Sequence, residues 1–141
     1  MNANPLVSII INNYNYSDYV AEAIESAIHQ SYPFTEVIVV DDGSTDQSRE
    51  IILQYKHEII PLFKENGGQA SAMNTGFKAS QGEVILFLDA DDYLSPKAVE
   101  KAVEVLRDGK AVKVHWLLHK IQNGNKISNS TLPETHLLKG I

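Results

Sequence analysis

The chain has 141 residues, contains no cysteine and carries a formal net charge of −6. That length is the size of one domain, and the absence of cysteine excludes disulfides and thiolate metal sites. No apolar run approaches the roughly 20 residues of a membrane-spanning helix. Residues 1–108 hold seventeen acidic and seven basic side chains. This acidic balance argues against a nucleic-acid partner, which would require a basic face.

Five apolar runs in the chain predict β-strands. The runs are short and nearly continuous, which is typical of strands buried on both faces of a sheet. They occupy residues 6–11, 37–40, 59–63, 84–88 and 111–121. The pair Asn123-Gly124, which follows the last run, is typical of a hairpin turn.

Apolar residues at helical spacing predict a helix after each of the first four strands. These residues lie within 20–28, 51–55, 70–77 and 99–106. In the third of these helices, Met73 and Phe77 are expected to belong to the core.

Polar residues supply start signals for three of the helices. Ser17 or Asp18 is expected to cap the first helix. Ser44 and Gln47 have the spacing of a capping box for the second. Ser95-Pro96 predicts the start of the fourth, with proline at the first helical position.

Strands and helices that alternate with short connections predict an α/β fold, with a mostly parallel sheet and helices on both faces. Ligands of such sheets bind beyond the carboxyl ends of the strands. Three polar clusters follow predicted strands, at residues 12–15, 41–44 and 89–92. Their shared position is the main functional signal in the sequence.

The third cluster contains two carboxylates, Asp89 and Asp91, spaced two residues apart. If this segment stays extended, both side chains point the same way. Oxygen ligands suit hard cations such as Mg²⁺ and Mn²⁺, and a bound cation would offset the mutual repulsion of the carboxylates.

The alternative interpretation is that Asp and Ser residues cap the following helices. That interpretation suits Ser44, Thr45 and Ser95. It suits Asp89 and Asp91 poorly, because the next predicted helix starts only near Pro96.

The order and spacing of these motifs resemble the nucleotide-sugar-binding half of an inverting family 2 glycosyltransferase with the GT-A fold, which is Rossmann-like. The resemblance covers about residues 6–107. This sequence departs from the family at Asn12-Asn13, where a Pro-Thr pair is usual. The matching segments are residues 7–15, 26–32, 36–46, 66–76 and 82–92.

The resemblance implies particular roles for the residues of the three clusters and of the 67–74 segment. Asp42 would accept the N–H of a uracil ring, Asp41 would support its loop, and Asp91 together with Asp89 would hold a Mn²⁺ or Mg²⁺ ion. Asp92 is expected to support the loop. The implied donor-binding residues are Asn12, Tyr14, Asn15, Asp41, Asp42, Gly68, Asn74, Asp89 and Ala90.

The resemblance therefore predicts a metal-dependent transferase that moves a sugar, with inversion, from a nucleotide diphosphate donor to an acceptor. A UDP-sugar is the expected donor, and the acceptor is an unknown saccharide, lipid or protein. The alternative is a non-catalytic sugar-nucleotide-binding module or an inactive fragment. No catalytic base is assigned, and we expect it beyond residue 141.

Residues 1–110 are expected to form the nucleotide-sugar-binding part, and residues 111–141 the start of an acceptor-side part. We expect the sheet to be truncated at the C-terminus, with a cut edge through which the chain could form homo-oligomers. A cytoplasmic location is expected, with membrane association on the cytoplasmic face as the alternative. A dinucleotide oxidoreductase is not expected, because residues 12–17 contain no glycine.

Overall fold

The computed structural model describes residues 1–108 together with the backbone of residues 121–122 and 125–126. The chain forms two compact units, Met1–Lys101 and Ala102–Ile141. Most of the predicted fifth strand lies outside the described residues. No helix within the described part is long and apolar enough to cross a membrane.

Four parallel strands form the sheet of the first unit, in the order β3-β2-β1-β4. They are β1 (Val7–Asn13), β2 (Thr35–Asp41), β3 (Ile60–Phe63) and β4 (Val84–Asp89). All four predicted strands within residues 1–108 are thus confirmed. The helices are α1 (Val20–Ile28), α2 (Ser48–Gln54), α3 (Gln69–Ala79) and α4 (Ala98–Arg107), the last of which crosses the boundary between the units.

A short antiparallel hairpin lies in the second unit. Its strands are β5 (Ile121–Gln122) and β6 (Asn125–Lys126), and Gln122 pairs with Asn125. This pairing confirms a hairpin at the position that Asn123-Gly124 predicts.

The order of the strands creates a topological switch point at β1. The chain runs outward from β1 through β2 to β3 and then returns to pair β4 with the opposite side of β1. Asn13 lies opposite Asp41 of β2, and Asn12 lies opposite Asp89 of β4. Switch points of this kind leave a crevice beyond the carboxyl ends of the strands, which is where the polar clusters stand.

The core occupies both faces of the sheet because successive side chains of a strand point to opposite sides. On one face, Ile10, Ile38 and Val40 form a cluster with Ala72 of α3. The alternate residues Ile9, Ile11, Val37 and Val39 are also fully or nearly fully buried. Helix α1 packs against β1 and β2, and its buried face consists of Val20, Ala23, Ile24 and Ala27. The predicted α/β fold is confirmed.

Helix α3 uses small residues where the sequence pattern predicted large ones. Phe77 is 56% exposed, whereas Ala72 and Gly76 are the buried residues of the helix. A Cβ at Gly76 would lie only 2.4 Å from Cγ2 of Ile10. The prediction that Phe77 belongs to the core was therefore wrong, because α3 approaches the sheet too closely for a large side chain at the contact.

The predicted caps of α1 and α2 were also wrong. Tyr19 and Gln47 stand at the N-cap positions, and neither makes a side-chain capping bond. The backbone N–H of Ser17 instead donates to Asp46, and the hydroxyl oxygen of Ser44 accepts from the backbone N–H of Asn15. These groups join the loop after β1 to the loop after β2, a use that local sequence spacing does not reveal.

Candidate functional site

A cleft of about 800 Å³ opens at the carboxyl end of the sheet. Its lining includes residues 12–16 at and beyond the end of β1, Asp42 after β2, and residues 89–91 at and beyond the end of β4. The rest of the lining consists of Asn66, of Gly68 just before α3, and of Gln69 and Ala72 within α3. The three clusters predicted from sequence therefore meet in one place.

Asp41 lies beneath the cleft and holds the two loops beside it. Its side chain is fully buried. It accepts hydrogen bonds from Nδ2 of Asn13 at 2.9 Å and from the backbone N–H of Ser44 at 3.1 Å. Asp41 is not part of the cleft lining, so the structure places it as a support of the loops.

Asn15 joins the same two loops from the other side. It adopts a left-handed backbone conformation with φ of 57°, which asparagine tolerates better than most residues. Its Oδ1 accepts a hydrogen bond from the backbone N–H of Thr45 at 2.7 Å. The side chain of Asn15 thus fixes the shape of the cleft wall that the residue lines.

Asp46 completes this connection between the loops. It accepts hydrogen bonds from the backbone N–H groups of Ser17 and Ser48, each at 2.9 Å. Burial acts to raise the pKa of Asp46, but hydrogen bonds from Ser48 and Ser17 outweigh it and hold the pKa below its usual value.

Asp42 is a cleft residue whose carboxylate is saturated with hydrogen bonds. Its side chain is 4% exposed and lies 2.5 Å from Nζ of Lys64. The N–H groups of Gly67 and Gly68 donate to Oδ1 at 3.0 Å and Oδ2 at 2.8 Å, and Nδ2 of Asn66 donates to Oδ2 at 3.3 Å. These four donors fill the roughly four acceptor positions of a carboxylate.

The pKa of Asp42 is lowered as a result. Burial acts to raise this pKa, but the hydrogen bonds from Lys64, Gly67 and Gly68, together with the charge of Lys64, outweigh it. Asp42 therefore stays ionised at the edge of the cleft.

The carboxylates after β4 lie in a different environment. The backbone N–H of Asp92 donates to the carbonyl of Asp89 at 3.0 Å, so the segment forms a turn and is not extended. The turn brings together one carboxylate oxygen from each of Asp89, Asp91 and Asp92, all within 4.8 Å of one another. The turn adds Asp92, which sequence reasoning assigned to loop support, to the predicted pair.

This acidic cluster, defined as Asp89, Asp91 and Asp92, lacks a basic partner within the described residues. The ion pairs there involve His29 with Glu25 and Lys64 with Asp42. Burial, and then the charges of Asp91 and Asp89, raise the pKa of Asp92 above its usual value. Three oxygen donors with unbalanced charge fit a hard divalent cation such as Mg²⁺ or Mn²⁺.

Two further features of the cleft are chemically notable. Oδ1 of Asn12 is buried and has no hydrogen-bond partner, which is rare in folded proteins. Tyr14 and Tyr16 line the cleft and are 46% and 41% exposed. Asn12 and the two tyrosines all belong to residues that line the cleft.

Most of the residues implied by the resemblance line this cleft, but Asp41 and Asn74 do not. Asn74 is an exposed residue of α3 outside the lining. Conversely, sequence reasoning assigned no role to Lys64 or Gln69, whose partners Asp42 and Asp89 are 22 and 20 residues away. For Gln69 the available signal was its place in the matching segment 66–76, and Lys64 lies just before that segment.

Comparison with known proteins identifies the family. The model of the glycosyl transferase family 2 matches residues 8–139. A glycosyltransferase of Nostoc sp. is 43% identical over 124 residues, which represent 85% of this chain and 38% of the relative. A glycosyltransferase of Rickettsia prowazekii is 45% identical over 114 residues, with 79% and 36% covered. The chain thus spans less than half the length of these relatives.

Solved structures show the same likeness. TarS 1–349 of S. aureus in complex with UDP-GlcNAc has a TM-score of 0.73 at 30% identity, covering 92% of this chain and 38% of that one. The mannosyltransferase PcManGT of Pyrobaculum calidifontis, in complex with GDP-Man and Mn²⁺, has a TM-score of 0.69 at 27% identity, covering 78% and 34%. With its motifs, fold and cleft in agreement, the chain belongs to glycosyl transferase family 2.

Proposed function

We propose that this chain is the donor-binding part of a metal-dependent glycosyltransferase, which takes a UDP-sugar and transfers the sugar with inversion. The observation that carries the proposal is the meeting of Asp42 with Asp89 and Asp91 in one cleft at the switch point of the sheet. One end of the cleft offers a carboxylate of lowered pKa, and the other offers two carboxylates of the acidic cluster, beside which Asp92 lies.

The acidic cluster would hold Mn²⁺ or Mg²⁺ through Asp91 and Asp89, with Asp92 as a third donor. When bound, such a cation neutralises the negative charge of a diphosphate leaving group. The complex of PcManGT with GDP-Man and Mn²⁺ supports this combination of a sugar nucleotide and a cation in the fold.

Asp42 would recognise the base at the other end of the cleft. A carboxylate can accept the ring N–H of uracil, whereas cytosine has no N–H at that position. In this structure the Asp42 carboxylate already accepts four hydrogen bonds, so a base N–H would have to replace one of them. The bond from Nδ2 of Asn66, at 3.3 Å, is the longest of the four. The complex of TarS with UDP-GlcNAc supports uridine as the base.

The remaining cleft residues would orient the nucleoside. Asn12, which lines the cleft, would contact the ribose. The rings of Tyr14 and Tyr16 would supply apolar surface to the base. Asn15 and Asp41 would keep these walls in place through the hydrogen bonds between the two loops.

Transfer with inversion requires an acceptor hydroxyl that attacks the anomeric carbon, aided by a general base. We assign no base to the described residues. The acceptor is proposed only as a hydroxyl of a saccharide, lipid or protein. The competing proposal is that the chain binds the donor without turnover.

Isothermal titration calorimetry would test the donor assignment. We expect UDP to bind this chain in Mn²⁺, with affinity reduced at least tenfold by chelator, and CDP to bind more weakly than UDP. Equal binding of UDP with and without metal would contradict the metal site. Equal binding of UDP and CDP would contradict the role of Asp42. A transfer assay with UDP-sugars then separates an enzyme from a binding module.

A further inference from the structure

Three consecutive residues connect the two ends of the cleft. The N–H groups of Gly67 and Gly68 donate to the Asp42 carboxylate, and Nε2 of Gln69 donates to Oδ1 of Asp89 at 2.8 Å. Asp42 follows β2 and Asp89 ends β4, with β1 between them. Strands lie about 4.8 Å apart, so this segment reaches across a width of about 10 Å.

We propose that Gln69 is a positioning residue for the metal site, in that its side-chain amide orients the Asp89 carboxylate toward the cation. This inference rests on the proposed metal site at the acidic cluster. Gln69 is the first residue of α3, and within the described residues its amide is the side-chain hydrogen-bond donor to Asp89.

The effect of this hydrogen bond follows from the geometry of a carboxylate. Rotation about the last bond of an aspartate side chain is broad, so an isolated Asp89 would sample many orientations beside Asp91 and Asp92. A donor fixed on Oδ1 selects one orientation and leaves the other oxygen for a cation. Groups that orient metal ligands in this way typically change metal affinity by 10–100-fold when they are removed.

Gly68 fixes the position from which Gln69 reaches Asp89. Gly68 has φ of 92°, and a Cβ built there would meet no atom within 4 Å. The requirement for glycine is therefore conformational and not steric. A residue with a side chain would shift the backbone on both sides, and would disturb the contact with Asp42 as well as that of Gln69 with Asp89.

Three substitutions can separate a metal-positioning role of Gln69 from a general structural role. Gln69→Met keeps the length of the side chain and removes its N–H groups. Gly68→Ala alters the whole segment. Gln81→Met is the matched control, because Gln81 is also exposed and precedes β4 at the opposite end of the sheet.

The experiment measures binding of Mn²⁺ alone by calorimetry, and thermal unfolding in chelator, for wild type and the three variants. We expect Gln69→Met to weaken Mn²⁺ binding about 10-fold with unchanged unfolding temperature. Gly68→Ala should weaken Mn²⁺ binding and lower the unfolding temperature together, and Gln81→Met should change neither. In NMR spectra of wild type, Mg²⁺ should shift the side-chain amide resonance of Gln69 but not that of Gln81.

The outcomes distinguish this inference from the proposed function. If wild type binds Mn²⁺ and Gln69→Met binds it equally well, Gln69 does not position Asp89 and the metal site stands. If Gln69→Met loses stability in chelator as Gly68→Ala does, its role is structural and the inference fails. If wild type binds no Mn²⁺, the proposed metal site fails and this inference fails with it.

Discussion

The loop after β2 and the turn after β4 are both rich in aspartate, but their carboxylates have opposite surroundings. Asp42 and Asp46 accept hydrogen bonds from backbone N–H groups, and Asp42 also pairs with Lys64. Their pKa values are lowered. In the acidic cluster after β4, Gln69 is the donor to Asp89 and no basic side chain of the described residues pairs with it. The pKa of Asp92 is raised there.

This difference separates two uses of the same residue type. Carboxylates that receive their donors from the fold stabilise it and gain nothing from a cation. Carboxylates that crowd together without a basic partner destabilise the fold until a ligand balances their charge. We therefore interpret the loop after β2 as a scaffold with one recognition group, Asp42, and the turn after β4 as a cation site.

The largest loss of stability is expected from Asp42→Ala. The substitution leaves the Lys64 ammonium and the N–H groups of Gly67 and Gly68 without their acceptor. Breaking a buried ion pair on one side typically costs about 3–5 kcal/mol. Urea unfolding should show a loss of that size. A loss below about 1 kcal/mol would mean that water replaces the carboxylate and that the loop does not depend on Asp42.

A smaller effect, with a characteristic pH dependence, is expected from Asp46→Asn. Because the folded-state pKa of Asp46 is lowered, its carboxylate contributes stability above the unfolded pKa of about 3.9. This stability is lost as the pH falls through the lower folded-state value. The variant should be about 1–2 kcal/mol less stable than wild type at pH 7, and the difference should shrink as the pH falls through the lowered folded-state pKa. A difference that does not change with pH would rule out the carboxylate charge as its cause.

The smallest effect, and of opposite sign, is expected from Asp91→Asn in chelator. The variant removes one of three neighbouring negative charges and leaves no donor unpaired. The free energy of unfolding should stay equal or rise by up to about 0.5 kcal/mol. In NMR titrations the pKa of Asp92 should move down toward its usual value, because Asp91 is one cause of its increase. A clear loss of stability would show that Asp91 has a structural partner.

Sequence patterns predicted the strands well because each strand is a run of apolar residues, which can be recognised without knowing any distant contact. The runs at residues 6–11 and 84–88 became β1 and β4 with small changes at their ends. The meeting of three polar clusters also followed from sequence, since parallel strands present their carboxyl ends at the same edge.

The errors share one physical origin, which is competition from distant partners. Ser44 does not cap α2 because its hydroxyl oxygen accepts from Asn13 and Asn15, about thirty residues away. Phe77 is exposed because α3 contacts the sheet through its small residues Ala72 and Gly76, and a Cβ at Gly76 would already crowd Ile10. Lys64 and Gln69 received no role because their partners are distant in sequence, in the loop after β2 and at the end of β4. Periodicity cannot encode such contacts.

On this interpretation the acidic cluster gains stability from a cation, whereas the loop after β2 does not. The most direct test measures the free energy of unfolding of wild type and Asp91→Ala in Mn²⁺ and in chelator. Mn²⁺ should stabilise wild type by about 2.7 kcal/mol at one hundred times its dissociation constant, and should leave Asp91→Ala unchanged. Equal stability of wild type with and without Mn²⁺, or equal stabilisation of both proteins, would contradict the claim.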